Sequence, residues 1–252
     1  MAFSQGVFEI RGLRHTNFSR SSTHRLCVSR PPRFHARMKL RFTLSAALGA
    51  LALAVCLHAS ADEPTKPILV KAGKVVAEPD LAKPLDKEWS VRKGTWETKD
   101  GELVAAEIPE EKHPAVIWHQ VGLQSAVVEC DFFFDGAAGF LIGCDSKNHH
   151  VGRLVINRKG AKINEDSTEV KSPEPGKSHP GQTLDSTPLD LKPGQWYHLR
   201  FEWTGDQMAA YVDGHEIKGQ HPTFTIAKVH TWFAVSGKFA KVRHIKISEG
   251  AP

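Results

Sequence analysis

Residues Ala126 to Arg153 read AVVECDFFFDGAAGFLIGCDSKNHHVGR, and their period of two decides the fold. Val128, Cys130, Phe132 and Phe134 fall on one face; Val127, Glu129, Asp131, Phe133 and Asp135 fall on the other. Strict alternation of this kind marks a strand with one face in a core. Asp135-Gly136-Ala137-Ala138-Gly139 is turn chemistry, after which Phe140, Ile142 and Cys144 resume the apolar face. The stretch is therefore expected to be a hairpin turning at Ala137, in the middle of a sheet. Its second strand runs out into Lys147-Asn148-His149-His150, the most polar cluster of the chain. The hairpin would place Cys130 opposite Cys144, either as a disulfide or as two buried thiols.

Similar grammar extends to both sides. Trp96 and Thr98 lead into Asp100-Gly101, with Leu103 and Ala105 beyond, and Asp-Gly between strand-like runs is a strong hairpin signal. Ala115 to His119 is a further strand. Gly152 to Asn157 alternates and can pair with Ala161 to Glu165 through Arg158-Lys159-Gly160. In Gln195 to Trp203, Tyr197, Leu199, Phe201 and Trp203 share one face, and Trp196, His198, Arg200 and Glu202 the other. Met208 to Val212, Asp213-Gly214 and His215 to Ile217 form another hairpin. Phe224 to Ile226, Trp232 to Ser236 and Val242 to Ile247 close the set. No stretch holds a helical period over three turns. Short strands spaced by turn signals indicate an all-β sandwich or barrel.

The N-terminus reads differently. Met38 to Arg41 is basic, Phe42 to Leu57 is apolar, and Ala59-Ser60-Ala61 is a small-x-small cleavage pattern. Residues 38–61 thus read as a secretory signal peptide, too short and Ala-rich for a transmembrane helix. Val55 sits where a lipoprotein box needs a small residue, so no lipid anchor is expected. Residues 1–37 precede this signal, rich in Arg, Ser and His: an extension from a misplaced start, or an organellar transit sequence. Residues 62–80 form an extended segment with at most an edge strand. The all-β domain spans 81–252, with a polar, Pro-rich loop over 166–193.

The leader also carries the basic charge. The full chain of 252 residues has 33 Lys and Arg against 28 Asp and Glu, a net of +5. Residues 1–61 hold nine of those bases and one of the acids, which leaves 24 basic and 27 acidic side chains, a net of −3. A nucleic-acid partner, which needs a clustered basic face, is excluded on this ground.

Four motifs carry a family likeness: W-x-V-x-x-G-x-W-x-x-x-D-G-E-L from Trp89 to Leu103, L-K-P-G-Q-W-Y-H-L-R-F-E-W from Leu191 to Trp203, A-Y-V-D-G-H-E-I from Ala210 to Ile217, and V-R-H-I-K-I-S-E from Val242 to Glu249. In this order they resemble the 3-keto-disaccharide hydrolase domain family. The resemblance implies an all-β, two-sheet antiparallel jelly-roll sandwich of concanavalin-like (laminin-G-like) type, exported and presenting a carbohydrate ligand surface. In some members the implied reaction is cleavage of 3-keto-glycosides. A non-catalytic carbohydrate-binding or adhesion module of the same fold is the alternative.

The residues themselves suggest where chemistry would sit. Asp145 and His150 are the candidate catalytic pair, since an imidazole beside a carboxylate can act as a base near neutral pH. Asn148, His149 and Arg153 would contact substrate hydroxyls. Glu129 and Asp131 on the open face, with Trp196 as a stacking ring, complete the expected substrate surface. Glu129-x-Asp131 resembles the start of the E-x-D-x-x-E strand of retaining glucan hydrolases, but Phe134 replaces the third carboxylate, so the double displacement lacks its acid/base. Neighbouring histidines on a strand point opposite ways, and no metal or cofactor is expected.

Overall fold

A computed structural model describes residues 66–166 and 181–252. The readings of 1–37 as an extension, of 38–61 as an export signal and of 167–180 as loop lie outside the described residues. Among the described residues there are thirteen strands and no α-helix. In chain order they are β1 (Lys71–Ala77), β2 (Trp89–Lys93), β3 (Thr95–Lys99), β4 (Glu102–Ala106), β5 (Ala115–His119), β6 (Ala126–Asp145), β7 (His150–Asn157), β8 (Gly160–Glu165), β9 (Gln182–Pro188), β10 (Trp196–Thr204), β11 (Gln207–Val212), β12 (His215–Gln220) and β13 (His230–Ala251).

The central hairpin expected at Ala137 is absent: β6 runs unbroken from Ala126 to Asp145. Its Gly-rich middle is a kink rather than a reversal. The whole of β6 is paired with β13, from Glu249↔Ala126 to His230↔Asp145, and the register shifts at Gly237↔Ala137 and Phe239↔Gly136. Gly136 (φ 86) and Gly237 (φ 89) take left-handed backbone there, so each strand carries an irregularity where the other does. Bulges of this kind bend a strand without ending its pairing. Trp232 to Ser236 and Val242 to Ile247, expected as separate strands, are correspondingly two halves of β13.

The bend makes two layers from one ribbon. The first half of β6 pairs with β10, from Trp196↔Phe133 to Trp203↔Ala126. Its second half pairs with β7, from Phe140↔Ile156 to Asp145↔His150. One layer is β12-β11-β10-β6-β13, continued by β4-β3 and by β1; the other is β9-β8-β7-β6-β13-β5-β2. The result is an antiparallel jelly-roll sandwich.

Between the layers lie Phe132, Phe134, Phe140, Phe201, Trp203 and Phe233, all fully buried. Phe132 stacks on Phe140 across the bend at 5.4 Å. Two glycines let the layers close. A Cβ at Gly152 of β7 would lie 2.9 Å from Met208 Sδ of β11, and one at Gly219 of β12 would lie 2.9 Å from Ile163 of β8. Cys130 and Cys144 are free thiols, both buried. With no reversal between them they sit on different halves of a bent strand, and no disulfide forms. Burial pushes the Cys144 thiol up to about 12.

Two further expectations change. Gln182–Pro188, inside the expected 166–193 loop, is the edge strand β9, paired with β8. An edge strand tolerates its polar sequence, and Pro188 sits at the end, where a missing N–H costs little. Phe224 to Ile226, expected as a strand, falls largely in a 3₁₀ turn over Pro222–Thr225. Pro222 lacks a ladder donor, and the His221 side chain accepts from Thr223 N–H to cap the turn.

One buried carboxylate ties the N-terminal segment to the first layer. Glu202 of β10 accepts from the backbone N–H groups of Ile68, Leu69 and Val70, at 2.6 to 3.1 Å for the shorter contact of each. Arg200 Nε donates to the same carboxylate, Arg200 Nη2 to Val70 O and Arg200 Nη1 to Glu129. Burial pushes Glu202 up, but Arg200 and the three amides outweigh it and hold the acid below its ordinary value.

Gly237→Ala tests the paired kink. Positive φ costs a side-chain-bearing residue about 1–2 kcal/mol, and the new Cβ would also lie 3.0 Å from Ala138 N. We expect the melting midpoint to fall by about 3–8 °C. Gly136→Ala should fall less, because its Cβ would meet only the flexible Lys238 side chain.

Candidate functional site

The end of β6 and the start of β7 build the most elaborate polar cluster of the second layer. Ser146 sets the turn between them: its Oγ accepts from His149 N–H and donates to His149 O, both at 3.1 Å. This brings His150 opposite Asp145. A register shift between the pairs Cys144↔Gly152 and Asp145↔His150 leaves Val151 as an extra, buried residue. The bulge thus places His150 and Arg153 on the same outer face, which simple alternation would not do.

Asp145 is buried and receives three donors. His150 Nδ1 lies 2.7 Å from Oδ1, Trp232 Nε1 donates to the same oxygen at 2.5 Å, and His230 Nε2 lies 3.1 Å from Oδ2. The Trp232 indole lies across Gly143, where a Cβ would come within 2.3 Å of the ring. Trp118 of β5 stacks on His230 at 4.0 Å, and the Arg92 guanidinium sits 4.3 Å above Trp118. Arg153 pairs with Asp166 at 2.9 Å, although their atoms miss hydrogen-bond alignment.

The electrostatics follow from these contacts. Burial raises Asp145, but hydrogen bonds from His150 and His230, the charge of His150 and the Trp232 donor outweigh it, so its pKa is lowered. Its bond to Asp145 raises His150, against the effect of burial. Asp166 is raised by burial, with Arg153 opposing. The His150 side chain remains 56% exposed. An imidazole that gives its Nδ1 proton to a fixed carboxylate presents Nε2 outward as a base.

Of the residues singled out in the sequence, Asp145, His150 and Arg153 come together here. Asn148 and His149 lie in the adjoining turn, Asn148 exposed and His149 half-buried. Glu129, Asp131 and Trp196 do not join them. The bend in β6 carries them to the outer face of the other layer, where Glu129 pairs with Arg200 at 2.8 Å. There Asp131 accepts from His198, Arg243 and His244, and Trp196 lies beneath Arg243. The expected single surface is therefore two surfaces.

His230, His198, Arg243, His244 and Arg92 went unassigned in the sequence. His230-x-Trp232 is visible as a two-residue period, but only the β6–β13 register brings it to Asp145. Among the described residues no group of three or more His, Cys, Asp or Glu side chains is placed to hold a metal ion, and no helix is long and apolar enough to cross a membrane.

Fold and outer faces together define a two-layer jelly-roll, the sandwich also seen in galectin-like proteins. No protein-family model matches the chain, and no curated protein matches it. Among solved structures it is similar to a carbohydrate-binding module from Bacillus subtilis, at 12% identity and TM-score 0.51, covering 64% of this chain and 96% of that one. It is similar to a Bacillus subtilis protein of unknown function with a galectin-like fold, at 12% identity and TM-score 0.54, covering 73% and 99%. It is also similar to a non-specific endo-β-1,3(4)-glucanase from family GH16, at 12% identity and TM-score 0.54, covering 73% and 94%. At this identity the likenesses establish the fold alone.

Asp145→Asn should return the His150 pKa toward 6.5, read by NMR titration of its ring protons. The raised His150 value stabilises the fold fully below the unfolded pKa near 6.5 and loses that stabilisation as pH rises through the folded value. The lowered Asp145 value stabilises above the unfolded pKa near 3.8 and loses it as pH falls through the folded value. The wild type should therefore gain most over the variant between these limits. A His150 titration unchanged in the variant would refute the pairing.

Proposed function

We propose that this is an exported carbohydrate-active protein that cleaves glycosides by hydrolysis or lysis, of the 3-keto-glycoside type, with His150 as base and Asp145 as its partner. The observation that carries this reading is the Asp145–His150 pair at 2.7 Å, with a buried acid and an imidazole open to solvent. Its support in the fold is the likeness to a carbohydrate-binding module and to a glucanase. Its support in the sequence is the family resemblance of the strand-and-turn motifs.

The chemistry suits the geometry. A ketone at C3 of a sugar acidifies the C2 proton. His150 Nε2 takes that proton, and its electron pair passes into the enolate. Collapse of the enolate breaks the bond from C1 to the leaving oxygen, which recovers a proton from the imidazolium. Water then adds across the new double bond, giving net hydrolysis. Arg153, held by Asp166, and the turn residues Asn148 and His149 would contact hydroxyls around the ring.

A binding-only reading has its own observation. Trp118 is half-exposed on the same face, stacked on His230 with the Arg92 guanidinium over its ring, and offers its exposed edge to a sugar. Loss of this ring in Trp118→Ala should weaken oligosaccharide binding about tenfold.

Purified protein incubated with plain and 3-keto glycosides separates the two. We expect turnover of the oxidised substrates, lowered roughly 10²- to 10⁴-fold in His150→Ala. The acidic limb of the rate–pH profile should lie above 6.5, because only the neutral imidazole accepts a proton and Asp145 raises its pKa. Turnover untouched by His150→Ala would sink the site; sugar binding without turnover would leave the binding module.

A further inference from the structure

The other layer carries a cluster built around a second buried carboxylate. Asp131 Oδ1 accepts from His198 Nδ1 at 3.1 Å, and Oδ2 from Arg243 Nε at 3.2 Å and His244 Nδ1 at 3.0 Å. β13 is irregular here, with a register shift between Arg243 and Lys246. His244 holds a φ of 51, the left-handed region that a side chain enters at a cost. The irregularity turns two consecutive side chains, Arg243 and His244, toward the same acid. Burial raises Asp131, but its three donors outweigh that and keep it ionised.

Arg243 is the informative member. Its guanidinium lies 4.1 Å over the Trp196 ring, and its Nε is spent on Asp131. Neither terminal nitrogen has a hydrogen-bond partner among the described residues, and the side chain is 27% exposed. Nearby cations are spent otherwise: Arg200 on Glu129 and Glu202, Lys241 on Glu102. A guanidinium fixed by a stacked ring and an anchored Nε presents a two-pronged donor at little entropic cost, the match for a carboxylate.

We propose that Arg243, held between Trp196 and Asp131 and flanked by His244, binds the carboxylate of an acidic sugar, making this face a second glycan site that prefers uronate-containing chains. The proposal rests on the carbohydrate reading above and deepens it. The two sites face outward from opposite layers, so the Asp131 face would hold an acidic chain independently of the chemistry at His150.

Binding of an oligogalacturonide, the matching neutral oligogalactoside and a sulfated oligosaccharide is measured by calorimetry at neutral pH. The wild type should prefer the uronate. Arg243→Lys, which keeps the charge and loses the fork, should weaken uronate binding ~10- to 100-fold, and Arg243→Ala at least as much. Both should keep His150-dependent turnover; Arg243→Ala should lower the melting midpoint, since buried Asp131 loses a donor, whereas Arg243→Lys, which keeps a cation beside that acid, should lower it less. Uronate binding equal to neutral binding, retained in Arg243→Lys, or matched by the sulfated chain would each overturn carboxylate recognition by the fork. Failure of His150→Ala to affect turnover strikes only the other site, so the two ideas fail separately.

Discussion

The structure depends on one pairing. β6 and β13 are antiparallel neighbours along nearly their whole length, and both pass through the bend that separates the layers. A single glycine on one strand would leave a straight partner to resist the bend. Here Gly136 and Gly237 supply left-handed backbone on both strands at one level. Every other strand is placed by which half of this ribbon it joins, directly or through a neighbouring strand. β10 and β4 take the first layer; β7 and β5 take the second.

The same ribbon distributes the polar chemistry. Asp131 and Asp145 sit on β6 to either side of the kink, and each is opposed by donors from β13: Arg243 and His244 for one, His230 and Trp232 for the other. A buried carboxylate is costly unless its oxygens are satisfied. Both acids meet that requirement with imidazole and one further N–H donor, so both are pre-organised and ionised. Beside each, an arginine lies over a tryptophan: Arg243 over Trp196, and Arg92 over Trp118. The two outer faces thus solve the same electrostatic problem with different residues.

Much of this was legible in the sequence. Period-two patterns in Val128 to Phe134 and Tyr197 to Trp203 mark buried faces, because alternation is a local property. Asp100-Gly101 and Asp213-Gly214 are left-handed turns because that backbone is a property of the residues themselves. The middle of β6 was misread for a non-local reason: Asp135-Gly136 has turn chemistry, and only a partner strand with its own glycine makes it a kink. The pairing of Asp145 with His150 was visible because a short turn joins them. The contribution of His230 was not, since it arrives from a strand more than 80 residues away. Likewise the separation of Glu129 and Asp131 from Asp145 follows from the bend, which alternation cannot report.

The Glu202 latch has a mechanical consequence. Ile68, Leu69 and Val70 are not held by a neighbouring strand but by one carboxylate that takes the place of a row of carbonyls. A load applied to the chain before Lys66 would therefore reach this ionic clasp before it reached the β1–β13 ladder. Such a clasp yields when its acid is protonated, whereas a ladder yields only when peeled. The domain is consequently tethered at its N-terminal side by a joint whose strength is set by acidity.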